Sequence, residues 1–374
     1  MIASQLLERK LLDHNLYMKK RLVFTGGGSG GHVMPALTII KKTNQNEEYD
    51  VHYFGGIQSI ERELVKDYKL TYHAIHTGKL RRYLSIENLK DIFKIVLGFF
   101  EALFILFRFT KKNTLVFSTG GFVSVPVVFA AKCLGIRVFI HEQTSRVGLA
   151  NKLCSKVCDK VFVSFEDSIK FFPTEKTFFS GYPLRDECYQ KDMGNIVIND
   201  IDLKTISKPI LFVTGGGNGS FLLNELIKTN FQELISNFVI VHQVGSNFIE
   251  EYKKIKHADY FPVPFIGKEM INLFKLATCT ISRSGAGTVC ELLAVGKKSI
   301  FIPLKIAQKN EQYFNAVEAK NKLGSLIITE DELNNETFLK AIREIGSNNP
   351  AQQTQKKNGL EFLVKEIQTE LVLK

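Results

Sequence analysis

Two segments of this chain open on the same design, and their residue types suit the handling of phosphate. Val23–His32 reads VFTGGGSGGH, and Phe212–Ser220 reads FVTGGGNGS. In each, an apolar run ends in three glycines and a small polar residue. A glycine-rich turn feeding a helix puts backbone N–H groups and the positive end of the helix dipole where an anion can sit. The first turn fits G-x-G-x-x-G literally. A dinucleotide site would also set an acidic residue after the second strand, against the ribose. Here that strand ends Tyr53-Phe54-Gly55-Gly56, with no acid. No Lys-Ser/Thr pair follows the glycines, so the turn is not a P-loop.

Three further stretches share the strand-then-turn pattern. Ser118-Thr119-Gly120-Gly121-Phe122 is one, and His141-Glu142-Gln143 follows another strand end. Open α/β sheets place their ligands at such ends. The third is Ser282–Glu291, SRSGAGTVCE, whose small residues let a ligand approach the backbone. Glu291 falls about a turn into the following helix and could accept two hydrogen bonds from a ribose diol. The alternative is an acid that complements the helix dipole.

The elements that must position these residues alternate. Arg21–Thr25, Val51–Phe54, Thr114–Ser118, Arg137–His141 and Lys160–Val163 read as strands, with helical periodicity between them. The scheme restarts with Pro209–Thr214, Phe238–Gln243, Thr278–Ser282, Ser299–Pro303 and Ser325–Ile328. The pattern predicts two doubly wound α/β domains in tandem. The expected limits are 1–18 for an extension of no assigned role, 19–185 for the first domain and 186–348 for the second. Residues 349–374 are expected to form a helix that packs back on the first domain. The joint is expected after Gly181-Tyr182-Pro183, across the polar stretch Glu187–Ser207.

The 374 residues carry a net charge of +11, unevenly. Residues 1–180 hold 26 Lys and Arg against 16 Asp and Glu, whereas residues 181–374 hold 23 against 22. The first half therefore attracts something anionic. It also holds the most apolar stretch, Ile92–Phe109, interrupted by Gly98 and Glu101 and flanked by Lys79, Arg81, Arg82, Lys90, Lys94, Arg108, Lys111 and Lys112. An apolar helix rimmed by cations suits the surface of an anionic bilayer, with part of it buried against the sheet. No apolar run is long enough to span a membrane, and the opening residues lack the pattern of a secretory signal. The six cysteines are scattered without metal-ligand spacing. Nucleic-acid binding is disfavoured, because the cations rim an apolar stretch and lack interleaved stacking aromatics.

From about Arg21 to Gly324 the chain resembles the MurG family, the peripheral-membrane N-acetylglucosaminyltransferases of bacterial peptidoglycan synthesis. The resemblance is carried by Gly27–His32, Gly78-Lys79-Leu80-Arg81-Arg82-Tyr83, Thr119–Pro126, His141-Glu142-Gln143, Gly148–Lys152, Gly181–Arg185, Gly215–Asn224, Ser282–Glu291, and Gln312 with Asn315-Ala316. Loops in this number and order are specific. The chain departs from the family's usual residues at Thr144, Tyr182, Gly217-Asn218 and Lys309-Asn310-Glu311.

The resemblance implies a GT-B fold, two Rossmann-like domains facing across a cleft. The second would hold UDP-N-acetylglucosamine, and the first would take lipid I, the undecaprenyl-diphosphate-linked MurNAc-pentapeptide, at the cytoplasmic face of the membrane. The product would be lipid II, with inversion at the sugar. Ala286, Gly287, Thr288, Val289, Cys290 and Glu291 would wrap the uridine. Gly217 and Asn218 would lie by the diphosphate, Arg185 and Ile266 would line the nucleotide pocket, and Gln312 would contact the sugar. Ser29, Gly30, Gly31 and Thr144 would complete the substrate site near the reaction centre. His32 is the expected general base, since an imidazole titrates near neutral pH, with Glu142 in reserve. Lys79, Arg81, Arg82, Lys94, Phe99, Phe100, Gly120 and Gly121 would serve the acceptor or the membrane. No metal and no cofactor are expected. Another GT-B glycolipid glycosyltransferase, a sugar-nucleotide epimerase and a non-catalytic sugar-nucleotide binder are the alternatives.

Overall fold

The computed structural model describes residues 20–78, 86–190, 193–267, 269–346 and 359–372. The chain divides into two compact units, Met1–Pro183 with Lys357–Lys374, and Leu184–Lys356. Residues 1–18 and the start of the expected C-terminal segment lie outside the described residues, as do Lys79, Arg81 and Arg82.

The first unit runs β1 (Lys20–Gly26), α1 (Gly30–Thr43), β2 (Tyr49–Gly56), α2 (Ile60–Leu64), β3 (Thr71–Ile75) and α3 (Ile86–Leu106). It continues with β4 (Thr114–Gly120), α4 (Ser124–Cys133), β5 (Arg137–Glu142), α5 (Leu149–Cys154), β6 (Lys160–Val163) and β7 (Thr177–Phe179). All seven strands pair in parallel, in the order β3-β2-β1-β4-β5-β6-β7. The chain starts at β1, works outward to β3, then crosses back to β4. The loops after β1 and β4 therefore meet at the switch point, where such sheets bind ligands. Both faces of the sheet are covered, so the strands are apolar without alternation. Leu22 and Phe24 pack with α1 on one face, and Val23 packs with Ala102 and Val127 on the other.

The second unit begins with an antiparallel hairpin, β8 (Val197–Ile198) and β9 (Ile201–Asp202). Asn199 and Asp200 turn it with positive φ angles of 48° and 65°, as a two-residue hairpin turn requires. Then come β10 (Ile210–Thr214), α6 (Phe221–Thr229), α7 (Phe231–Asn237), β11 (Val239–Gln243), α8 (Ile249–Tyr252), β12 (Tyr260–Val263) and α9 (Met270–Leu276). The unit closes with β13 (Cys279–Ser282), α10 (Ala286–Val295), β14 (Ile300–Phe301), α11 (Glu311–Leu323), β15 (Leu326–Ile327) and α12 (Asn335–Gly346). Its six-stranded parallel sheet is ordered β12-β11-β10-β13-β14-β15. The loops after β10 and β13, both singled out in the sequence, again flank the switch point.

In the two parallel sheets, three strands escape the sequence reading: β3, β7 and β12. Each is an edge strand with a single sheet partner. An edge strand buries less apolar side chain, and β12 even admits Pro262. The stretch Glu187–Ser207, expected as a linker, is folded into the second unit, with Ile196, Ile198 and Leu203 buried. The division falls after Pro183, two residues before the expected limit.

The last helix, α13 (Gly359–Val372), belongs to the first unit. Leu360, Leu363, Val364, Ile367 and Leu371 form one helical stripe buried with the α1 side of the core. Glu366 accepts from Lys160 at 2.8 Å, and Glu370 pairs with Arg137. Truncating Ile367 to Ala is expected to cost about 2–5 kcal/mol. By calorimetry the first unit's transition should fall by roughly 5–15 °C; an unchanged transition would mean that α13 contributes nothing to that core.

Candidate functional site

In the first unit the turn after β1 is locked to the turn after β4. Gly27 N–H donates to the Gly120 carbonyl at 3.2 Å. Gly121 has φ +83°, and a Cβ there would stand 2.0 Å from the Gly27 carbonyl oxygen. Only glycine permits this approach. From below, the buried carboxylate of Glu61 on α2 accepts from Gly28 N–H (3.3 Å) and Gly56 N–H (3.0 Å). Ser29 is the N-cap of α1, yet its side chain makes no capping bond. Nothing lies within 4 Å of a Cβ built on Gly30. The first turn of α1 thus presents open space over unprotected amides, with no acid in that turn.

His32 sits on this turn. Its Nδ1 lies 3.0 Å from the Thr119 carbonyl oxygen and 3.3 Å from Gln143 Oε1. Both partners only accept, so Nδ1 carries the proton and Nε2 is the basic nitrogen of the neutral ring. The structure thus brings together His32 and Gly120 from separate loops, with Gln143 from the end of β5.

Glu142 is a correction. Its carboxylate is buried and takes four donors: Thr144 N–H (3.1 Å) and hydroxyl (2.8 Å) on Oε1, Gly148 N–H (3.2 Å) and Asn151 Nδ2 (3.1 Å) on Oε2. A buried carboxylate so saturated holds a turn rather than abstracting a proton. Thr144, expected at the substrate, is committed to the same turn. Phe99 is also partly buried against the core, whereas Lys94 and Phe100 are exposed.

Helix α3 divides as its sequence suggests. Ala102 and Leu106 are buried, while Phe93, Phe100 and Phe104 on the helix and Phe107 just beyond it are 72%, 58%, 65% and 75% exposed. Arg108 lies over the Phe104 ring at 4.7 Å, and Lys111 and Lys112, a few residues on, are exposed. Glu101 turns away from this face, accepting from the His76 backbone N–H and contacting His76 Nδ1, each at 2.7 Å. Among the described residues no helix is long and apolar enough to cross a membrane.

In the second unit the turn after β10 is equally constrained. Gly219 has φ +75°, and a Cβ there would stand 1.9 Å from the Val244 carbonyl oxygen. Gly217 and Asn218 at its tip are exposed, with Phe265 beside Gly217. Gln243, buried at the end of β11, donates to the Gly216 carbonyl (2.8 Å) and accepts from Ile266 N–H (3.0 Å). It ties the glycine turn to the segment carrying Ile266, whose own side chain is buried. Arg283 joins three elements. Its Nε donates to the N-cap hydroxyl of Ser220 (3.1 Å), and Nη1 donates to the Ile302 carbonyl (3.0 Å) and Glu330 (2.6 Å).

Arg185 Nη2 pairs with Glu291 Oε1 at 2.8 Å, and its Nη1 donates to the Gly267 carbonyl at 3.2 Å. Burial raises the Glu291 carboxyl above its ordinary value, and Arg185 opposes that shift. For Arg185, burial disfavours the charge, and Glu291 reverses the effect, so the guanidinium is held charged. Ala286, Gly287 and Thr288 are part-exposed at the start of α10, and a Cβ built on Gly285 has nothing within 4 Å. The side chains of Val289 and Cys290 are buried in the core, which leaves their backbone to meet a ligand. Gln312 Oε1 accepts from Leu304 N–H at 3.0 Å, which leaves its NH2 group as the donor. The buried hydroxyls of Ser282 and Ser284 have no hydrogen-bond partner among the described residues.

The residues missed as site members are Glu61, Gln143, Asn151, Gln243 and Arg283. Gln143, Gln243 and Arg283 carried a readable signal, a polar side chain immediately closing an apolar strand. Glu61 carried none, since its target is in another loop. Among the described residues no three His, Cys, Asp or Glu side chains cluster so as to hold a metal ion.

Comparison with known proteins places these two units. Residues 22–163 match the glycosyltransferase family 28 N-terminal domain, and residues 210–371 match the family's C-terminal domain. A protein of Lachnoclostridium phytofermentans is 39% identical over 332 residues, which are 88% of this chain and 91% of that one. One of Clostridium tetani is 36% identical over 334 residues, with the same shares. Both are named UDP-N-acetylglucosamine--N-acetylmuramyl-(pentapeptide) pyrophosphoryl-undecaprenol N-acetylglucosamine transferase. The crystal structure of Acinetobacter baumannii MurG has the same fold, with TM-score 0.69 at 24% identity, covering 94% of this chain and 99% of that one.

Beneath the second unit's glycine turn lies a neutral histidine. His242 is fully buried; its Nε2–H donates to Asn224 Oδ1 (3.1 Å) and its Nδ1 accepts from the Tyr260 hydroxyl (3.0 Å). Burial lowers its pKa to about 3. The unfolded chain binds this proton at higher pH than the folded one, so the contribution is whole above about pH 6.5 and is lost as pH falls. Wild type should lose about 2 kcal/mol more than His242→Gln between pH 7 and pH 5 in urea unfolding. Parallel pH slopes in the two proteins would remove His242 from the acid response.

Proposed function

The chain belongs to glycosyltransferase family 28, and from that premise we propose that it transfers N-acetylglucosamine from UDP-N-acetylglucosamine to the MurNAc 4-hydroxyl of lipid I, giving lipid II. The observation that carries the reading is a pair of glycine turns, one per unit, each at a sheet's switch point and opening a helix. That is one phosphate-handling turn for each diphosphate substrate. The second unit takes the donor. Glu291 offers Oε2 to the ribose while Oε1 stays with Arg185, and the turn Gly215–Gly219 faces the diphosphate. The first unit takes the acceptor diphosphate on the amides of Gly30 and Gly31.

In the reaction the 4-hydroxyl oxygen forms its bond to C1 of GlcNAc from the face opposite UDP. The C1–O bond to the diphosphate breaks, and its electron pair leaves with UDP. The hydroxyl proton passes to His32 Nε2. The leaving charge is met by helix N-termini and backbone amides rather than by a metal ion.

The test is transfer of labelled GlcNAc to a short-chain lipid I analogue, with and without EDTA. Transfer should persist in EDTA, and His32→Ala should lower kcat about 10²- to 10⁴-fold with the donor KM nearly unchanged. Folded protein that binds UDP-GlcNAc yet transfers none would assign it another acceptor.

The exposed face of α3 seats the protein on the cytoplasmic face of the membrane. Four exposed aromatic rings with a cationic rim provide the two signals that reversible attachment requires. Replacing Phe93, Phe104 and Phe107 by Ser should weaken binding to phosphatidylglycerol vesicles by at least roughly 10-fold, since each ring contributes about 2 kcal/mol when buried. Undiminished vesicle binding would move the contact elsewhere.

A further inference from the structure

The His141-Glu142-Gln143 turn does more than close a strand. His141 is fully buried at the end of β5. Its Nε2 lies 3.3 Å from the Gly181 carbonyl oxygen and 3.3 Å from the Ser164 hydroxyl. A carbonyl only accepts, so Nε2 carries the proton and Nδ1 is left as an acceptor. Gln143 Nε2 stands 3.2 Å from that Nδ1 and 3.1 Å from the His141 carbonyl oxygen. Two acceptors on one side assign that side of the amide as NH2. The opposite atom, Oε1, therefore points at His32 Nδ1, 3.3 Å away. Each group fixes the next: Gly181 sets His141, His141 sets Gln143, and Gln143 faces the Nδ1–H of His32.

We infer that His141 and Gln143 are positioning residues, which hold the His32 ring with Nδ1 protonated and the Nε2 lone pair free for the acceptor hydroxyl. The inference rests on the reading of His32 as the general base. The chain works only while His141 stays neutral. A proton on its Nδ1 would turn the Gln143 amide around and set an NH2 against the His32 N–H. The surroundings oppose such a proton. Tyr182 packs its ring edge-on against His141, with centroids 6.5 Å apart, and the neighbouring Glu142 carboxylate is saturated by its own four donors. Burial accordingly lowers the His141 pKa to about 4.

The test starts with the full-length wild-type protein and needs no turnover. Long-range ¹H–¹⁵N NMR of the histidine rings should show neutral His141 protonated at Nε2 and neutral His32 protonated at Nδ1. A His32 ring protonated at Nε2 would overturn the inference.

Variants then read the coupling. Gln143→Leu and His141→Leu should reduce the Nδ1–H population of His32 and lower kcat roughly 3- to 10-fold, the range of one net hydrogen bond, with the KM for UDP-GlcNAc unchanged. His141→Asn, whose Oδ1 can accept from Gln143 in place of Nδ1, should restore most of kcat. If His141 merely fills space, Leu will be tolerated as well as Asn, and the inference fails. If both Leu variants shift the His32 tautomer while kcat stays constant, the positioning chain stands and the base assignment falls.

Discussion

A parallel strand that runs into a helix must turn sharply, and the helix then begins with amides that have no partner in the chain. Both candidate anion sites in this protein are built on four such turns, two in each sheet. In the first unit the turns after β1 and β4 are not independent. The Gly27 amide bonds the Gly120 carbonyl, and Gly121 lies against the Gly27 carbonyl at a distance no Cβ could share. That lock sets where α1 starts. It also brings the Thr119 carbonyl to the ring of His32, so one backbone constraint positions both the anion site and the candidate base.

The buried ionisable groups around these turns serve the backbone. Glu61 holds the first glycine turn, Glu142 holds the turn after β5, and Arg283 ties the turn after β10 to the end of β14 and to Glu330. A charge taken out of water is costly unless hydrogen bonds replace its hydration, so each of these groups is surrounded by partners. The Arg185–Glu291 pair differs, because the ion pair engages Oε1 of Glu291 and each partner steadies the other's charge. The buried histidines follow the opposite logic. His141 and His242 are held neutral, and a neutral imidazole has one donor and one acceptor, which makes it a directional element.

Helix α3 sits apart from this logic, on the face of the first unit's sheet opposite α1. Its buried face belongs to the core, and its aromatic face is exposed. Glu101, the one acid within its apolar stretch, is turned to His76. The excess cations of residues 1–180 include those beside this face. An exposed apolar surface with a basic rim is the kind of patch that marks an interaction site.

By itself the sequence determined the fold class, the repeated strand–glycine–helix design, and nearly every strand lying inside a sheet. Those features depend on local spacing and on runs of apolar residues that both covered faces demand. The residues of Ser282–Glu291 and the three glycine turns were legible for the same reason, since a tight turn leaves a compositional mark. Only the tertiary structure decided what the polar side chains in those turns do. Glu142 reads as a candidate base, yet four donors from its own turn occupy it. Glu61, Gln243 and Arg283 act on segments distant in the chain, which no local pattern encodes. Edge strands β3, β7 and β12 were missed because a single partner asks little of their side chains. The tautomer of His32 is the clearest case. It follows from Thr119 and Gln143, residues 87 and 111 positions away, and hydrogen-bond direction exists only once those atoms face one another.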